Sequence, residues 1–226
     1  MKNSERIILA LDVRTLSEAE EIIERFSNYI SVYKVGPFLF YRFGWKVIYK
    51  LKQKGKRVFL DLKTHDIPNV VKEGVKIARE RGIDFFTLHI LAGKKALYEA
   101  VKEKGNMKLL GVTLLTSLSQ KDMYEIGLRD DEKELILNLS KIAQEVGIDG
   151  VIAGGKEVKM IKNRIGKNFL VITPGIRWEH LPQDDQKRIS TPGEAFSNGA
   201  DYIVMGRSLI SDPKAVEKLK ELENLF

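Results

Sequence analysis

The sequence has 226 residues, of which 43% are hydrophobic and 31% are charged, a balance typical of a globular protein with a substantial core. No apolar run approaches the ~20 residues that cross a bilayer, and Asp12 interrupts the short run 6–13, which argues against a signal peptide. Because the chain has no cysteine, disulfides and thiolate chemistry are excluded, and we expect a cytoplasmic location.

The formal net charge is +7, which raises the question of a nucleic-acid partner. Nucleic-acid-binding proteins concentrate their basic residues on one face or in a tail. Here lysine and glutamate are interspersed along predicted helices such as 72–82 and 214–223, as is typical of solvated helix faces. We therefore expect neither a nucleic-acid nor a membrane partner.

Short runs rich in Val, Ile and Leu recur along the chain and are predicted to be strands. Their continuous apolar character is typical of parallel strands that are covered on both faces. The predicted strands span residues 6–13, 31–36, 57–63, 84–90, 108–115, 149–154, 169–175 and 201–208.

Amphipathic stretches lie between these runs and are predicted to be helices, among them 17–26, 67–82 and 132–147. Several helical stretches end on a glycine shortly before the next strand, which suits the left-handed conformation of a helix C-cap. These glycines are Gly55, Gly82, Gly105 and Gly147.

Strand–helix alternation repeats about eight times, in nearly the ~250 residues typical of a (β/α)8 TIM barrel. This pattern predicts a single α/β domain of that fold over residues 1–226. The alternative is an open doubly wound sheet. That fold would be expected to have a glycine-rich dinucleotide-binding loop after its first strand, but Asp12-Val13-Arg14 occupies that position. The stretch 212–226 has apolar residues at helical spacing and is predicted to be the last helix, docked on the barrel.

Polar and charged residues collect where the predicted strands end. Since the active site of such a barrel lies at the carboxyl ends of its strands, these side chains are expected to meet at one mouth. Asp61 and Lys63, two positions apart on one strand, are expected to face the same way. They form either a structural salt bridge or, with Lys34 and Asp66 nearby, a catalytic group. The other strand-end residues are Asp12, Thr116, Ser117, Arg177, Gly206 and Arg207.

A second group, in the C-terminal part of the chain, suits phosphate binding. Backbone N–H groups at Gly206 and Arg207 can hold an anion, and Arg177 can add a bidentate guanidinium contact. The alternative is that Gly206 serves close packing and Arg207 is solvated. The polar segment 176–196 is either a lid, in which Gln186 could reach a ligand, or simply a mobile loop.

The histidines do not form a metal-binding pattern. His65, His89 and His180 share no paired spacing on one helix or strand, so no metal site is predicted. His65, which precedes Asp66, is interpreted as a structural hydrogen-bonding residue rather than as a base.

Several motifs resemble those of one enzyme family. The pattern D-x-K-x-x-D of Asp61, Lys63 and Asp66, within FLDLKTHDIPN, looks like the signature of orotidine 5′-phosphate decarboxylases. The likeness extends over nearly the whole chain. It includes ALDV at 10–13, YKVG at 33–36, GVTLLTS at 111–117, TPGIR at 173–177 and DYIVMGRSLI at 201–210.

The resemblance implies conversion of orotidine 5′-monophosphate to UMP and CO2, the last step of de novo pyrimidine synthesis, without metal or cofactor. It also implies a homodimer with a site at each subunit interface. By motif, Lys63 would protonate C6, Asp61 would lie beside the departing carboxylate, and Asp66 would serve the neighbouring subunit's site. The other implied contacts are Lys34 and Asp12 with the ribose and the charged network, Thr116 near the pyrimidine, Gln186 between base and phosphate, and Arg177, Gly206 and Arg207 with the phosphate.

Two other functions stay open. Mg²⁺-dependent sugar-phosphate decarboxylases and aldolases of the same suprafamily share D-x-K-x-x-D, but they take an acidic metal ligand from strand two, where Lys34 stands here. A non-catalytic nucleotide- or RNA-binding protein would explain the basic charge and the phosphate site. It would have no use for Asp61, Lys63 and Asp66 at a barrel mouth.

Overall fold

The computed structural model describes residues 3–179 and 189–223, which contain a closed barrel of eight parallel strands. Each strand pairs with the next, and the last pairs with the first, so the sheet has no free edge. The strands are β1 (Ile7–Ala10), β2 (Val32–Val35), β3 (Arg57–Thr64), β4 (Phe85–His89), β5 (Lys108–Val112), β6 (Gly150–Ile152), β7 (Leu170–Thr173) and β8 (Tyr202–Met205).

Helices connect consecutive strands. Across the described ranges, none of them is both long and apolar enough to cross a membrane. The α-helices are α1 (Leu16–Phe26), α2 (Pro37–Phe43), α3 (Trp45–Gln53), α4 (Pro68–Glu80), α5 (Lys94–Glu103), α6 (Gln120–Glu125), α7 (Glu132–Val146), α8 (Val158–Ile165), α9 (Pro192–Ser197), α10 (Arg207–Ile210) and α11 (Ala215–Glu223).

The predicted barrel is confirmed, and the open-sheet alternative is wrong because β1 and β8 pair, with Ile8 opposite Val204. Each predicted strand is present, but most are shorter than predicted, since their last residues leave the ladder to form the mouth. The run predicted over 6–13, for example, is a strand only over Ile7–Ala10. β3 is the exception, because it continues to Thr64.

Helix α7 ends at Gly147, one of the glycines predicted to end a helix. Gly147 has φ 89° and ψ 22°, the left-handed conformation, and its N–H donates to carbonyl groups of the last helical turn. A residue with a Cβ would be strained there. The other predicted glycine ends, Gly55, Gly82 and Gly105, also have positive φ, as expected.

The apolar core has one part inside the barrel and another between the strands and the helices. Inside the barrel, the ring of Phe85 meets those of Phe59 and Tyr202 edge to face, with centroid distances of 6.1 and 5.4 Å. Side chains thus fill the interior, and a small molecule has room at the mouth rather than within the barrel. On the outside, α11 docks through Leu219 and Leu222, which are buried as predicted for the last helix.

Aspartates at the amino-terminal ends of three strands tie neighbouring elements together. Asp84, just before β4, accepts a hydrogen bond from the backbone N–H of Val58 on β3 at 2.7 Å. It also forms an ion pair with Lys52 of α3 at 2.6 Å. We call this arrangement an Asp–Lys clamp. The clamps lie at the opposite end of the barrel from the mouth, where residues support stability rather than chemistry. The same clamp recurs before β6 with Asp149, Leu109 and Lys104, and before β8 with Asp201, Val171 and Lys162.

Candidate active site

A cavity of about 200 Å³ opens at the carboxyl ends of the strands, where the sequence predicts the active site. Apolar side chains, including Leu114, Ile152 and Val204, line it together with charged ones. A mixed lining of this kind suits a small polar ligand with an aromatic ring. The predicted site residues that line the cavity are Asp12, Lys34, Asp61, Lys63, Thr116, Arg177, Gly206 and Arg207.

Asp12, Lys34, Asp61 and Lys63 form a row of alternating charge, which we call the charged row. The Lys34 ammonium lies 3.4 Å from Oδ1 of Asp12 and 3.7 Å from Oδ2 of Asp61. The Lys63 ammonium donates to Oδ2 of Asp61 at 2.9 Å. The Asp61 side chain is 11% exposed and that of Lys63 is 36% exposed, so the lysine is the more accessible of the two. These residues lie at or just after the ends of β1, β2 and β3, which pair side by side in the sheet, so parallel pairing of neighbouring strands brings them together.

Asp61 keeps its negative charge although it is buried. Burial by itself raises the pKa of a carboxyl group, because it disfavours the charged form. Here the charges of Lys34 and Lys63, and hydrogen bonds from Lys63 and Thr87, outweigh burial and hold the pKa of Asp61 below its ordinary value. The site therefore contains a fixed carboxylate in contact with an ammonium group at neutral pH.

β3 is irregular where it carries Asp61 and Lys63. Leu60 pairs with Phe86 and Thr64 pairs with Leu88, so three residues of β3 lie opposite one residue of β4. Lys63 has φ 49°, in the left-handed region that a lysine rarely adopts. The side chains of Asp61 and Lys63 do meet, as the sequence predicts, but through this irregularity rather than through regular strand alternation.

Thr87 on β4 contacts the charged row, and the sequence gives little sign of it. Its hydroxyl oxygen lies 2.9 Å from the backbone nitrogen of Lys63 and 3.0 Å from Oδ1 of Asp61. The available signal is one hydroxyl residue inside the apolar run 84–90. A threonine is common in strands, so that signal becomes informative only when the register of β3 and β4 is known.

Gly36, at the end of β2, leaves room for the charged row. A Cβ at this position would lie 3.3 Å from Nζ of Lys34 and 3.5 Å from Oδ1 of Asp12. A Cβ would thus make an ordinary contact with Asp12 but would require the Lys34 ammonium to shift by a few tenths of an ångström. The glycine of the motif YKVG leaves that ammonium in its place between the two carboxylates.

The predicted phosphate-binding residues come from the loops after β7 and β8. The hydroxyl of Ser208 donates to the backbone carbonyl of Ile176 at 3.0 Å and so ties the two loops together. Arg177, Gly206 and Arg207 line the same cavity as the charged row. Guanidinium groups and accessible backbone at one end of a cavity suit a phosphate group.

Three residues predicted at the mouth are not among the described residues that line the cavity, namely Asp66, Ser117 and Gln186. Asp66 is exposed within one chain, and its Oδ1 accepts the backbone N–H of Ile67 at 2.7 Å. A single chain thus brings together Asp61 and Lys63 of the D-x-K-x-x-D motif, while Asp66 does not line their cavity. Gln186 and His180 lie outside the described residues.

His65 and His89 meet although the sequence does not pair them. Their rings stack with centroids 5.0 Å apart and planes 22° apart. Burial lowers the pKa of His89, and the neighbouring His65 and Lys63 lower it further, so His89 is neutral at neutral pH. His65 follows β3 directly and His89 is the last residue of β4, so the stacked pair lies beside the segment that carries Asp66. A structural role for His65 stays a prediction.

The chain is similar to known proteins over almost its whole length. The model of the Orotidine 5′-phosphate decarboxylase / HUMPS family matches residues 5–222. The orotidine 5′-phosphate decarboxylase of Carboxydothermus hydrogenoformans is 42% identical, over 99% of this chain and 98% of that protein. Its counterpart in Methylococcus capsulatus is 43% identical, over 93% of this chain and 88% of that protein. The crystal structure of the Lactobacillus acidophilus orotidine 5′-phosphate decarboxylase has a TM-score of 0.85 and 36% identity, over 97% of this chain and 99% of that one.

Proposed function

The chain belongs to the Orotidine 5′-phosphate decarboxylase / HUMPS family, and from this premise we propose that it decarboxylates orotidine 5′-monophosphate to UMP in pyrimidine biosynthesis. It is a lyase-type decarboxylase, and the charged row is the observation that supports its mechanism. An ammonium held against a buried carboxylate, in a cavity with guanidinium groups, matches a substrate that has a carboxylate at one end and a phosphate at the other.

The chemical difficulty of this reaction is the electron pair left on C6 when CO2 departs. Preorganised charges in a site shielded from water can stabilise such a carbanion. The Lys63 ammonium, 2.9 Å from Asp61, supplies the positive charge. As the bond between C6 and the carboxylate breaks, C6 takes a proton from Nζ of Lys63, so the step needs no metal or cofactor.

Asp61, Lys34 and Asp12 have supporting roles in the proposed mechanism. The buried Asp61 lies beside the substrate carboxylate and repels it, a stress that is relieved as neutral CO2 leaves. Lys34, between Asp12 and Asp61, keeps that negative charge in place. Lys34 and Asp12 also bind the ribose hydroxyls.

The phosphate is bound far from the reacting carbon. Arg177 and Arg207 hold it by charge-assisted hydrogen bonds, and the backbone at Gly206 approaches it closely. Binding energy from this remote group is used to orient the pyrimidine over Lys63. Thr116 lies near the pyrimidine, and Gln186, outside the described residues, is assigned to the space between base and phosphate.

The protein works as a homodimer in which each copy completes the other's site. Asp66 is exposed in one chain, and the neighbouring Ile67 and Val70 are 65% and 44% exposed. Apolar side chains left on the surface beside a carboxylate suit burial against a second copy. In that dimer, Asp66 of one chain extends the charged row of its partner.

The Mg²⁺-dependent alternative is disfavoured by the charge at the end of β2. The Lys34 ammonium, 3.4 Å from Asp12 and 3.7 Å from Asp61, occupies the place where a metal would need an acidic ligand, and it would repel a divalent cation. A nucleic-acid partner is disfavoured by the interspersed lysines and glutamates. The chain has no cysteine and therefore no disulfide of the kind that is common in secreted proteins, which fits a cytoplasmic location.

The deciding experiment follows the ultraviolet absorbance of orotidine 5′-monophosphate after addition of purified protein that has been dialysed against EDTA. We expect the absorbance to change as UMP forms, at the same rate with and without added Mg²⁺. No UMP formation would contradict the proposal. Activity that EDTA abolishes and Mg²⁺ restores would favour the metal-dependent relatives instead.

A further inference from the structure

Strand β3 leaves the regular ladder where the proposed chemistry is located. Leu60 and Thr64 pair with β4, whereas the residues between them bulge. The backbone N–H of Lys63 donates to the side-chain oxygen of Thr87 at 2.9 Å, not to a backbone carbonyl of β4. One threonine side chain thus takes the place of a ladder hydrogen bond at the bulge.

The Thr87 hydroxyl makes a second contact, to the partner of Lys63. A hydroxyl has one proton and two lone pairs, and the N–H of Lys63 can only donate to it. The hydroxyl proton is therefore directed to Oδ1 of Asp61, 3.0 Å away. The other oxygen of that carboxylate binds the Lys63 ammonium at 2.9 Å. Thr87 is 0% exposed, so water does not compete for these bonds.

The bulge also contains backbone strain. Lys63 has φ 49°, and a non-glycine residue persists in that region only where its surroundings determine it strongly. The bond from its N–H to Thr87 is such a determinant, and the Asp61 carboxylate is a second one. Strain of this kind collects at functional sites, where it fixes the direction of a reacting side chain.

We propose that Thr87 is a positioning residue for the decarboxylation, because its hydroxyl holds the backbone of Lys63 in its strained conformation and orients the Asp61 carboxylate. This inference rests on the proposed function and adds to it a residue of β4. Thr87 does not touch the substrate; it acts through the two residues that do.

The test compares Thr87→Val, which keeps the shape but loses the hydroxyl, with Thr87→Ser, which keeps the hydroxyl. The matched control is Thr113→Val. Thr113 is also 0% exposed, and its hydroxyl donates to the carbonyl of Ile152 at 3.0 Å rather than to a residue of the charged row. Each variant is measured for kcat and KM with orotidine 5′-monophosphate, for UMP affinity and for Tm.

A positioning role predicts that kcat of Thr87→Val falls at least tenfold, while KM and UMP affinity stay within threefold of wild type. Thr87→Ser and Thr113→Val should stay within threefold in kcat. Equal losses in the two valine variants, or an unchanged kcat in Thr87→Val, would overturn the inference. If Thr87→Val does not fold, Thr87→Ala replaces it in the same comparison.

The pH dependence of kcat gives a further test, because loss of a merely structural residue would not change it. The hydroxyl stabilises the charged form of Asp61, so its loss raises the pKa of that carboxyl group, and the acid limb of kcat in Thr87→Val should move to higher pH. An unmoved limb would overturn the contact with Asp61. Wild-type protein that forms no UMP would refute the proposed function itself. A crystal structure of Thr87→Val with Lys63 still at positive φ would refute this inference alone.

Discussion

Lys63 has an unusual backbone conformation, and it is also the residue that donates the proton to C6 in the proposed reaction. Its ammonium is held by a buried carboxylate, and its side chain is 36% exposed against 12% for that of Lys34, so it is the more accessible lysine of the charged row. We expect Lys63→Ala to lower kcat by at least about 10²-fold, the usual scale for loss of a general acid. UMP should still bind, because the phosphate contacts remain. Turnover is measured spectrophotometrically and UMP affinity by calorimetry.

The matched control for this variant is Lys102→Ala, which removes an exposed lysine that pairs with Glu99 on α5. It should leave both kcat and UMP affinity unchanged. Near-normal turnover in Lys63→Ala would remove Lys63 from the role of proton donor. Loss of UMP binding together with turnover would point to misfolding or to a binding role.

Arg207 tests the phosphate end of the cavity. Charge-assisted hydrogen bonds contribute about 1.5–3 kcal/mol, so Arg207→Ala should lower kcat/KM for orotidine 5′-monophosphate by roughly 10- to 100-fold. Orotidine, which has no phosphate, should be processed equally by the variant and the wild type. Arg81→Ala, at the end of α4, is the control and should affect neither substrate. Equal losses for both substrates would exclude phosphate binding as the role of Arg207.

At the scale of elements, the Asp–Lys clamps should stabilise the barrel without affecting its chemistry. Asp84→Ala leaves the N–H of Val58 without its acceptor and breaks the ion pair with Lys52. A buried N–H that loses its acceptor, as that of Val58 would, costs about 1–3 kcal/mol of unfolding free energy. At roughly 2–4 °C per kcal/mol for a chain of this size, Tm should fall by about 2–12 °C.

Calorimetry measures this change, and kcat of the folded variant should equal that of the wild type at temperatures below both transitions. Glu99→Ala is the control, because it removes an exposed ion pair with Lys102, and such pairs contribute little. A Tm change in Asp84→Ala no larger than in Glu99→Ala would show that the clamp does not stabilise the fold.

The order of elements and the location of the site follow from sequence patterns. Apolar runs separated by helical stretches give the barrel, and the rule that sites lie at strand ends selects residues such as Asp12 and Lys34. The exact strand ends do not follow, because the composition of a run does not show at which residue it stops pairing and turns into the mouth. Helices α2 and α3, which meet at Gly44, are not among the predicted elements.

The contact between Lys63 and Thr87 could not be predicted from the sequence, for a different reason. Regular alternation predicts contact between Asp61 and Lys63, and the contact exists, but a bulge produces it. A bulge depends on how one strand aligns with its neighbour, which is a non-local property. The hydrogen bond from Lys63 to Thr87 joins residues 24 positions apart and becomes visible only in the folded barrel.

At the scale of the whole molecule, the proposed dimer can be tested by mixing inactive variants. A hybrid of Lys63→Ala and Asp66→Ala chains contains one site with both Lys63 and Asp66 intact. Equal mixing should therefore restore up to about a quarter of wild-type activity, as expected for a two-fold symmetric pair. Activity is measured after subunit exchange has been verified with differently tagged chains.

The control mixes Lys63→Ala with Asp61→Asn chains. Both changes fall within a chain's own part of the site, so neither hybrid site is complete and no activity should return. Recovery in this control, or none in the first mixture, would contradict a site completed by Asp66 from the second copy.

The Asp–Lys clamps divide the barrel into successive modules of two strands each. Each clamp joins a helix to the two strands that follow it, as Lys52 does with β3 and β4. The breaks between modules are thus the natural places to open the chain. Gly44, in the turn before α3, lies at such a break, with φ 54° and open space around its Cα. A circular permutant with new termini there would keep every module contiguous, including the one that contains the reactive lysine.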